Sequence, residues 1–153
     1  MDYLIIKWIH VLSATVIVGV GFGTAFYKWM ADRSGNVRTI ADVSGFVIKA
    51  DWWFTTPAIF VQPITGLMLA HQAGFSMTSG WVAWSLALYV LTGSFWLPVL
   101  WLQYRMHSLA NEALVAESIL PAEYRRRARQ WFWLGVPAFS AMIAVYALMI
   151  FKP

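Results

Sequence analysis

The sequence contains no cysteine and few charged residues. Without cysteine, the chain has no disulfide framework, no Cys-ligated zinc site, no iron–sulfur cluster and no thiol nucleophile. Charged residues make up 12% of the 153 residues and hydrophobic residues 60%, whereas soluble domains contain about 25% and about 45–50%. A soluble domain of this length has too much surface to accommodate that apolar excess. The composition therefore predicts a membrane protein.

Long uncharged runs predict four transmembrane helices. No charged residue occurs from Trp8 to Tyr27, from Trp52 to Tyr104 or from Trp131 to Phe151. About 20 helical residues cross roughly 30 Å of hydrocarbon, so the middle run holds two spans, separated by turn residues at 72–80. We predict an all-α, polytopic bundle of four transmembrane helices in a single domain, 1–153, with helices at approximately 3–29, 52–73, 81–107 and 129–151.

Two further patterns support these spans. Tryptophans cluster near the predicted helix ends, as they do in the aromatic belts of membrane proteins: Trp52, Trp53, Trp81, Trp84, Trp101, Trp131 and Trp133. The first apolar run is too long for a secretory signal peptide and lacks a small-residue cleavage site. We expect it to remain as a span.

The basic residues predict the orientation. Nearly all of them lie in or beside two predicted loops, 30–51 and 108–128, and only Lys7 and Lys152 lie elsewhere. The positive-inside rule places both loops in the cytoplasm and both termini outside, in a bacterial inner membrane. Topology thus accounts for the net charge of +4 without a nucleic-acid partner. The arginine-rich run at 125–129 is read as a topology determinant or as a contact with anionic lipid or a partner.

His10 is the most informative polar residue, since it lies about two turns into the first predicted span. An ionisable side chain there is costly and usually faces the bundle interior with a partner. Its helix face continues through small or apolar residues: Ser13, Ala14, Ile17 and Gly21. An imidazole beside a small-residue flank suits a haem. The alternative is a neutral histidine that is hydrogen-bonded to a neighbouring helix.

The predicted topology supplies further ligand candidates on the outer side. His71 ends the second predicted span there, so His10 and His71 are the predicted metal ligands of a b-type haem. Met68 and Met142 are alternative ligands, because methionine with histidine suits haem or copper(I), although methionine also simply fills cores. Lys7, one turn before His10, is placed to pair with a haem propionate or to snorkel. His107 lies at the opposite side.

Helix-breaking and small residues occur inside the spans. Gly19 and Gly23 form a small-xxx-small pair that predicts close helix packing. Gln62 and Pro63 mark the middle of the second span, where a proline frees a backbone carbonyl and kinks the helix. Such a kink opens a cavity or bends the helix round its neighbours. In the second loop, Leu120-Pro121 predicts a break before a new helix.

Both ends of the chain resemble one family. The first stretch is Leu4-Ile5-Ile6-Lys7-Trp8-Ile9-His10-Val11-Leu12-Ser13-Ala14, and the last includes Leu120-Pro121-Ala122-Glu123-Tyr124-Arg125-Arg126 and Leu148-Met149-Ile150-Phe151-Lys152-Pro153. They resemble a bacterial integral membrane family of unknown function, DUF2269. The Lys-x-x-His of the first span more distantly resembles copper-resistance D-like proteins and HemJ-type protoporphyrinogen oxidases, which implies His-ligated haem or copper. Ser85 stands near the position at which the HemJ-type pattern has a lysine, which argues against protoporphyrinogen oxidation.

Three functions remain open from the sequence. The first is a b-type haem protein with a redox or electron-transfer role near the outer face, working with an electron-transfer partner or a quinone. The second is a copper or small-solute transporter that uses His10 and methionines. The third is a cofactor-free membrane assembly or partner subunit with a structural His10. The sequence leaves open whether the chain is an enzyme and whether it forms homo- or hetero-oligomers.

Overall fold

The fold is all-α. The computed structural model describes residues 3–76, 78 and 80–152, so that Met77 and Ser79 of the predicted turn, and the terminal residues of the predicted domain, lie outside the described residues. The helices are α1 (Tyr3–Ser34), α2 (Val37–Ala50), α3 (Thr56–Gln72), α4 (Gly80–Val115) and α5 (Ala122–Phe151), and a π-helical turn (Asp51–Thr55) joins α2 to α3.

Four helical segments of the described chain are long and apolar enough to cross a membrane. They are Tyr3–Ser34, Val37–Gln72, Gly80–Val115 and Ala122–Phe151. The prediction of an all-α protein with four spans is therefore confirmed. We call Val37–Gln72 the second span, since α2, the π-helical turn and α3 form one continuous helix. The end of the bundle near Ser34 and Ala122 is called the basic end, and the other end is called the terminal end.

The segment predicted as a loop at 30–51 is mostly helical. After the two-residue connection Gly35-Asn36, the side chain of Asn36 accepts a hydrogen bond from the backbone N–H of Thr39 at 3.0 Å and caps α2. Residues of α2 then face the bundle at helical spacing: Ile40, Ala41, Ser44, Val47 and Ile48 are buried. Charged residues on the opposite face of this amphipathic helix concealed it in a search for long uncharged runs.

The break predicted at Leu120-Pro121 is present. Helix α4 continues to Val115, and α5 begins at Ala122 directly after Pro121. Proline is suited to this position because it cannot continue the preceding helix and its missing N–H is not needed in a first turn. The predicted loop 108–128 is thus two helix ends joined by residues 116–121.

Polar side chains lie inside the bundle and large apolar ones outside. Exposed residues include Phe22, Trp53, Phe60, Trp84, Leu97 and Ile143. Lipid tails cover such surfaces in a membrane, and buried polar groups must then bond to one another. An apolar core does exist at the basic end, where α1, α2, α4 and α5 meet around Ala31, Ile40, Ala41, Met106, Leu109, Ala110 and Tyr124. Nearer the terminal end, α1 packs along α3, and α4 packs along α5.

Close packing at the Gly19/Gly23 pair was predicted, and within this chain that prediction is wrong. A Cβ built on either glycine meets no atom of the described residues within 4 Å. Close approach occurs instead at Gly21, where a Cβ would lie 3.4 Å from the ring of Phe139 on α5. Gly21 lies two residues from each of them, on a different face of α1.

Candidate functional site

His10 lies between α1 and α3 with both ring nitrogens engaged. Its Nδ1 is 2.9 Å from the hydroxyl oxygen of Thr65, and its Nε2 is 3.2 Å from the amide nitrogen of Gln62. Ser13, one turn further along α1, donates its hydroxyl hydrogen to the amide oxygen of Gln62. Two residues of α1 and two of α3 therefore form one hydrogen-bonded group, which we call the His10 cluster.

A glycine makes room for the imidazole. A Cβ at Gly66 would lie 3.0 Å from Cε1 of His10, which is closer than carbon atoms pack without displacement. Gly66 directly follows Thr65, so the residue that bonds the ring and the residue that accommodates it are neighbours on α3. The ring is held in position by hydrogen bonds at both of its nitrogens.

The hydrogen bonds assign the protons of the His10 cluster. Thr65 donates its single hydroxyl hydrogen to the carbonyl of Val61 at 2.8 Å, so its oxygen accepts from Nδ1–H of His10. Nε2 then carries the lone pair and accepts from the amide N–H of Gln62. Every hydrogen bond is satisfied with a neutral imidazole. The cluster thus offers both donors and acceptors without carrying a charge.

Pro63 frees a backbone acceptor beside this cluster, as the sequence predicted. Proline has no N–H and leaves the carbonyl four residues earlier without its helical donor. That carbonyl belongs to Ile59, and it accepts a hydrogen bond from the hydroxyl of Tyr89 on α4 at 2.6 Å. The irregular point of α3 is therefore braced by α4 rather than left open.

The ligands predicted on α3 are not brought to His10. His71 is exposed at the end of α3, and, six residues beyond Thr65, it points about 240° round the helix axis from it. Met68 is 37% exposed. Lys7 is also exposed on α1. His71 therefore does not share the face of α3 that meets His10. Met68, three residues beyond Thr65, lies only about 60° from Thr65 round the helix axis and one turn nearer the terminal end.

The predicted ligand on α5 lies too far along the bundle. The contact between Gly21 and Phe139 fixes the level of α1 against α5. Both residues lie on the terminal side of that contact. His10 is about 16 Å from it along α1, and Met142 is about 4–5 Å from it along α5. Met142 thus lies roughly 12 Å short of the level of His10.

These positions bring together only part of the ligand set predicted for haem or copper, and both functions stay predictions. An axial bond to His10 needs the lone pair of Nε2, which accepts from Gln62 in this structure. His71 points away from His10 and Met142 lies at another level, so neither of them is placed as a second ligand. Within the described part of the chain, no group of three or more His, Cys, Asp or Glu side chains is arranged to hold a metal ion.

His107 has a separate environment at the basic end. Its Nδ1 lies 3.2 Å from the carbonyl oxygen of Ala41 on α2, and Asn111 reaches its Nε2 at 3.1 Å. A Cβ at Gly45 would lie 3.1 Å from Cε1 of the ring. Each of the two histidines therefore packs on a glycine of the second span, at opposite ends, and they do not share a site.

A buried lysine also lies at the basic end. Lys28 is 1% exposed, and its ammonium group lies 2.5 Å from both Asp32 and the hydroxyl of Tyr124. The Tyr124 hydroxyl in turn donates to Asp32 at 2.5 Å. The sequence suggested only a topology role for Lys28. The structure shows that it joins α1 to α5 in a three-residue group.

Part of the arginine content also holds helices together. Arg105 on α4 makes two hydrogen bonds of 3.2 Å to the carboxylate of Glu123 on α5, a paired geometry that is stronger than a single contact. Arg127 stacks over the ring of Trp101, with the guanidinium carbon 4.8 Å from the ring centre. These arginines join α4 to α5 in addition to their predicted role in orientation.

Sequence reasoning missed most of the buried polar residues of the second span. Five of them recur on one helix face: Ser44, Asp51, Thr55, Gln62 and Thr65 are all buried. We call these five residues the polar row. Their spacings of seven, four, seven and three residues were a readable signal, because polar residues at this period inside an apolar run predict a buried face.

Comparison with known proteins gives one match. A family model described as "Predicted integral membrane protein (DUF2269)" matches residues 4–153. No curated protein and no solved structure matches the chain. The family resemblance seen in the sequence is thus confirmed, whereas the distant resemblance to copper-resistance D-like and HemJ-type proteins stays a prediction.

Proposed function

Because the chain belongs to the DUF2269 family of predicted integral membrane proteins, we propose that it carries a small, uncharged, polar solute across the membrane between α1 and the second span. The observation that supports this is the polar row, which follows one buried face of the second span from Ser44 to Thr65. Ionisable residues inside membrane spans, such as Asp51 of this row, mark solute and ion pathways.

The His10 cluster suits an uncharged solute. It combines hydroxyls, an amide and a neutral imidazole, so it can donate and accept hydrogen bonds but offers no charge to balance an ion. In the observed state these groups bond to one another. A solute that replaces those bonds with its own would bind there at little cost, since both states satisfy the buried polar atoms.

Ala58 occupies the gap between two members of the polar row. Thr55 and Gln62 are seven residues apart, about 10 Å along the helix, and Ala58 lies between them on the same buried face. Ala58 is itself buried, so a larger side chain there would have to displace its neighbours. A solute moving from the His10 cluster toward the basic end has to pass this position.

Solute permeability of vesicles tests the proposal. The full chain is reconstituted into liposomes, and swelling is followed by light scattering in urea, glycerol and erythritol. We expect the wild type to raise permeability to at least one of these solutes and Ala58→Leu to return it to that of protein-free vesicles. The matched control is Ala83→Leu, which adds the same side chain at an exposed position of α4 and should behave as wild type.

The result that overturns the proposal is equally direct. If the wild type leaves permeability to all three solutes at the protein-free level, transport of this class is wrong and the cofactor-free assembly role is favoured. If a folded Ala58→Leu variant transports as well as the wild type, the pathway is not between α1 and the second span.

The haem and copper functions predicted from the sequence have a spectroscopic test. A Soret band in purified protein, with α and β bands on reduction, would favour haem, and copper without haem would favour copper handling. We expect neither haem nor copper in the purified protein. The Nε2 lone pair of His10, which would bind haem iron or copper, accepts a hydrogen bond from Gln62 instead. If haem were present, His10→Ala should abolish the spectrum while His107→Ala, at the opposite end, should not.

A further inference from the structure

Asp51 is a buried carboxylate at an irregular point of the second span. It is 5% exposed and begins the π-helical turn. Such turns are rare in helices and frequently occur at functional sites. The hydroxyl of Thr55 donates to the Asp51 carboxylate at 2.9 Å, and the side chain of Gln103 on α4 lies near the same carboxylate.

No cation balances this carboxylate in the described part of the chain. The ion pairs there involve Asp32, Glu112 and Glu123. Lys28, a buried cation of the adjacent α1, has its ammonium group bonded to Asp32 instead. A buried carboxylate with only neutral partners carries a large desolvation cost, which a bound cation or a proton removes.

Gln103 adds an independent sign of a missing ligand. Its side chain is only 6% exposed, and its amide oxygen, Oε1, is buried without a hydrogen-bond partner. Buried side-chain acceptors are usually satisfied, so an unpartnered one needs an explanation. Since the Gln103 side chain lies near the Asp51 carboxylate, a rotation of its amide is enough to bring this unused oxygen to the same site.

We propose that Asp51, Thr55 and Gln103 bind one sodium ion. All three supply oxygen donors, which hard cations prefer. The site has one carboxylate, so a monovalent ion balances its charge. A rotation of the Gln103 amide would turn its unpartnered oxygen toward the cation beside Asp51. Since Asp51 and Thr55 belong to the polar row, this inference rests on the proposed transport function and names sodium as its coupling ion.

Thermal unfolding of the purified full chain tests binding without any transport assay. Sodium chloride replaces choline chloride at constant ionic strength and pH, and the melting temperature is read from intrinsic fluorescence. A ligand that binds only the folded state raises Tm in a saturable way. We expect a rise of a few degrees with sodium in the wild type and none in Asp51→Asn, which keeps the shape of the side chain and an acceptor oxygen for Thr55 but removes the charge.

Two further variants complete the test. Asp42→Asn removes an exposed acid of α2 and should keep the full sodium response, which excludes a general effect of carboxylates. Gln103→Met removes the unpartnered oxygen at similar volume and should weaken the response. It also provides a folded comparison if Asp51→Asn fails to fold.

The remaining outcomes overturn either the sodium site or the transport that it is proposed to serve. A sodium response that persists in both Asp51→Asn and Gln103→Met places the ion elsewhere. A wild type that responds to pH through Asp51 but not to sodium has a proton there instead, and a wild type that responds to neither leaves the site without a ligand. If sodium binds but vesicles show no solute permeability, the proposed transport fails while the sodium site stands.

Discussion

Tyr89 on α4 donates a hydrogen bond to the backbone carbonyl of Ile59 on α3 at 2.6 Å, which is the carbonyl that Pro63 leaves without a helical donor. The carbonyl that a proline frees in one span is thus hydrogen-bonded by a hydroxyl from another span. The hydrogen bond also fixes the distance between the two helices near Gln62. The shape of the His10 cluster therefore depends on α4, although no side chain of α4 takes part in it.

Removal of that hydroxyl should destabilise the protein. Tyr89→Phe leaves the Ile59 carbonyl unpaired inside the bundle, and we expect a loss of about 1–3 kcal/mol in the free energy of unfolding. The control is Tyr27→Phe, since Tyr27 is 66% exposed and should tolerate the change. Denaturation in detergent micelles measures both. Equal stability of Tyr89→Phe and wild type would mean that the carbonyl has another donor.

An added methyl group at Gly66 should disturb His10. The Cβ would lie 3.0 Å from Cε1 of the ring, and the ring cannot retreat without loosening its bonds to Gln62 and Thr65. Gly66→Ala should therefore lower Tm, although alanine is the better helix former by about 1 kcal/mol. Gly19→Ala, where the space is open, should leave Tm unchanged or raise it. A stabilised Gly66→Ala would show that the ring moves freely.

The Lys28 group should be sensitive to loss of its anion. Asp32→Asn leaves an ammonium that is 1% exposed without a charge partner, and removing one member of a buried pair costs about 3–5 kcal/mol. Because the Asp32 side chain is 22% exposed, we expect the lower part of that range. Unfolding in micelles is the measurement, with Asp42→Asn as the exposed control. Similar stability of both variants would argue against a structural role for this group.

The orientation remains a prediction that reporters can test. The connection at 116–121 lies at the basic end, beside the arginines of α5, and should be cytoplasmic by the positive-inside rule. A phosphatase reporter that works only outside the cytoplasm should be inactive at 116–121 and active at the C-terminus. The reverse pattern would invert the assignment of both sides.

The spans were predictable because an uncharged run of about 20 residues has few stable alternatives to a transmembrane helix. Helix α2 was not predictable from hydropathy, since the charged residues on one of its faces resemble those of a cytoplasmic loop. Its buried face, from Ile40 to Ile48, follows the period of a helix, which a search by hydropathy alone ignores.

The candidate site was predictable only in part. His10 stood out as an ionisable residue in an apolar run, but its partners depend on which face of α3 meets α1. Depth in the membrane suggested His71 as the partner of His10. The angular position of residues round the axis of α3 instead makes Thr65 and Gln62 its partners. Asp51 was overlooked because it lay at the border of a predicted loop, where an acidic residue needs no explanation.

The separation of the His10 cluster along the chain has a consequence for biosynthesis. Ser13 and His10 find their partners 49 and 55 residues later, so α1 is synthesised well before Gln62 and Thr65 exist. A nascent chain that ends before α3 would expose these polar groups to lipid, where unpaired polar atoms are costly. We therefore expect stable insertion of α1 to require α3, so that the first two spans enter the bilayer as one helical hairpin.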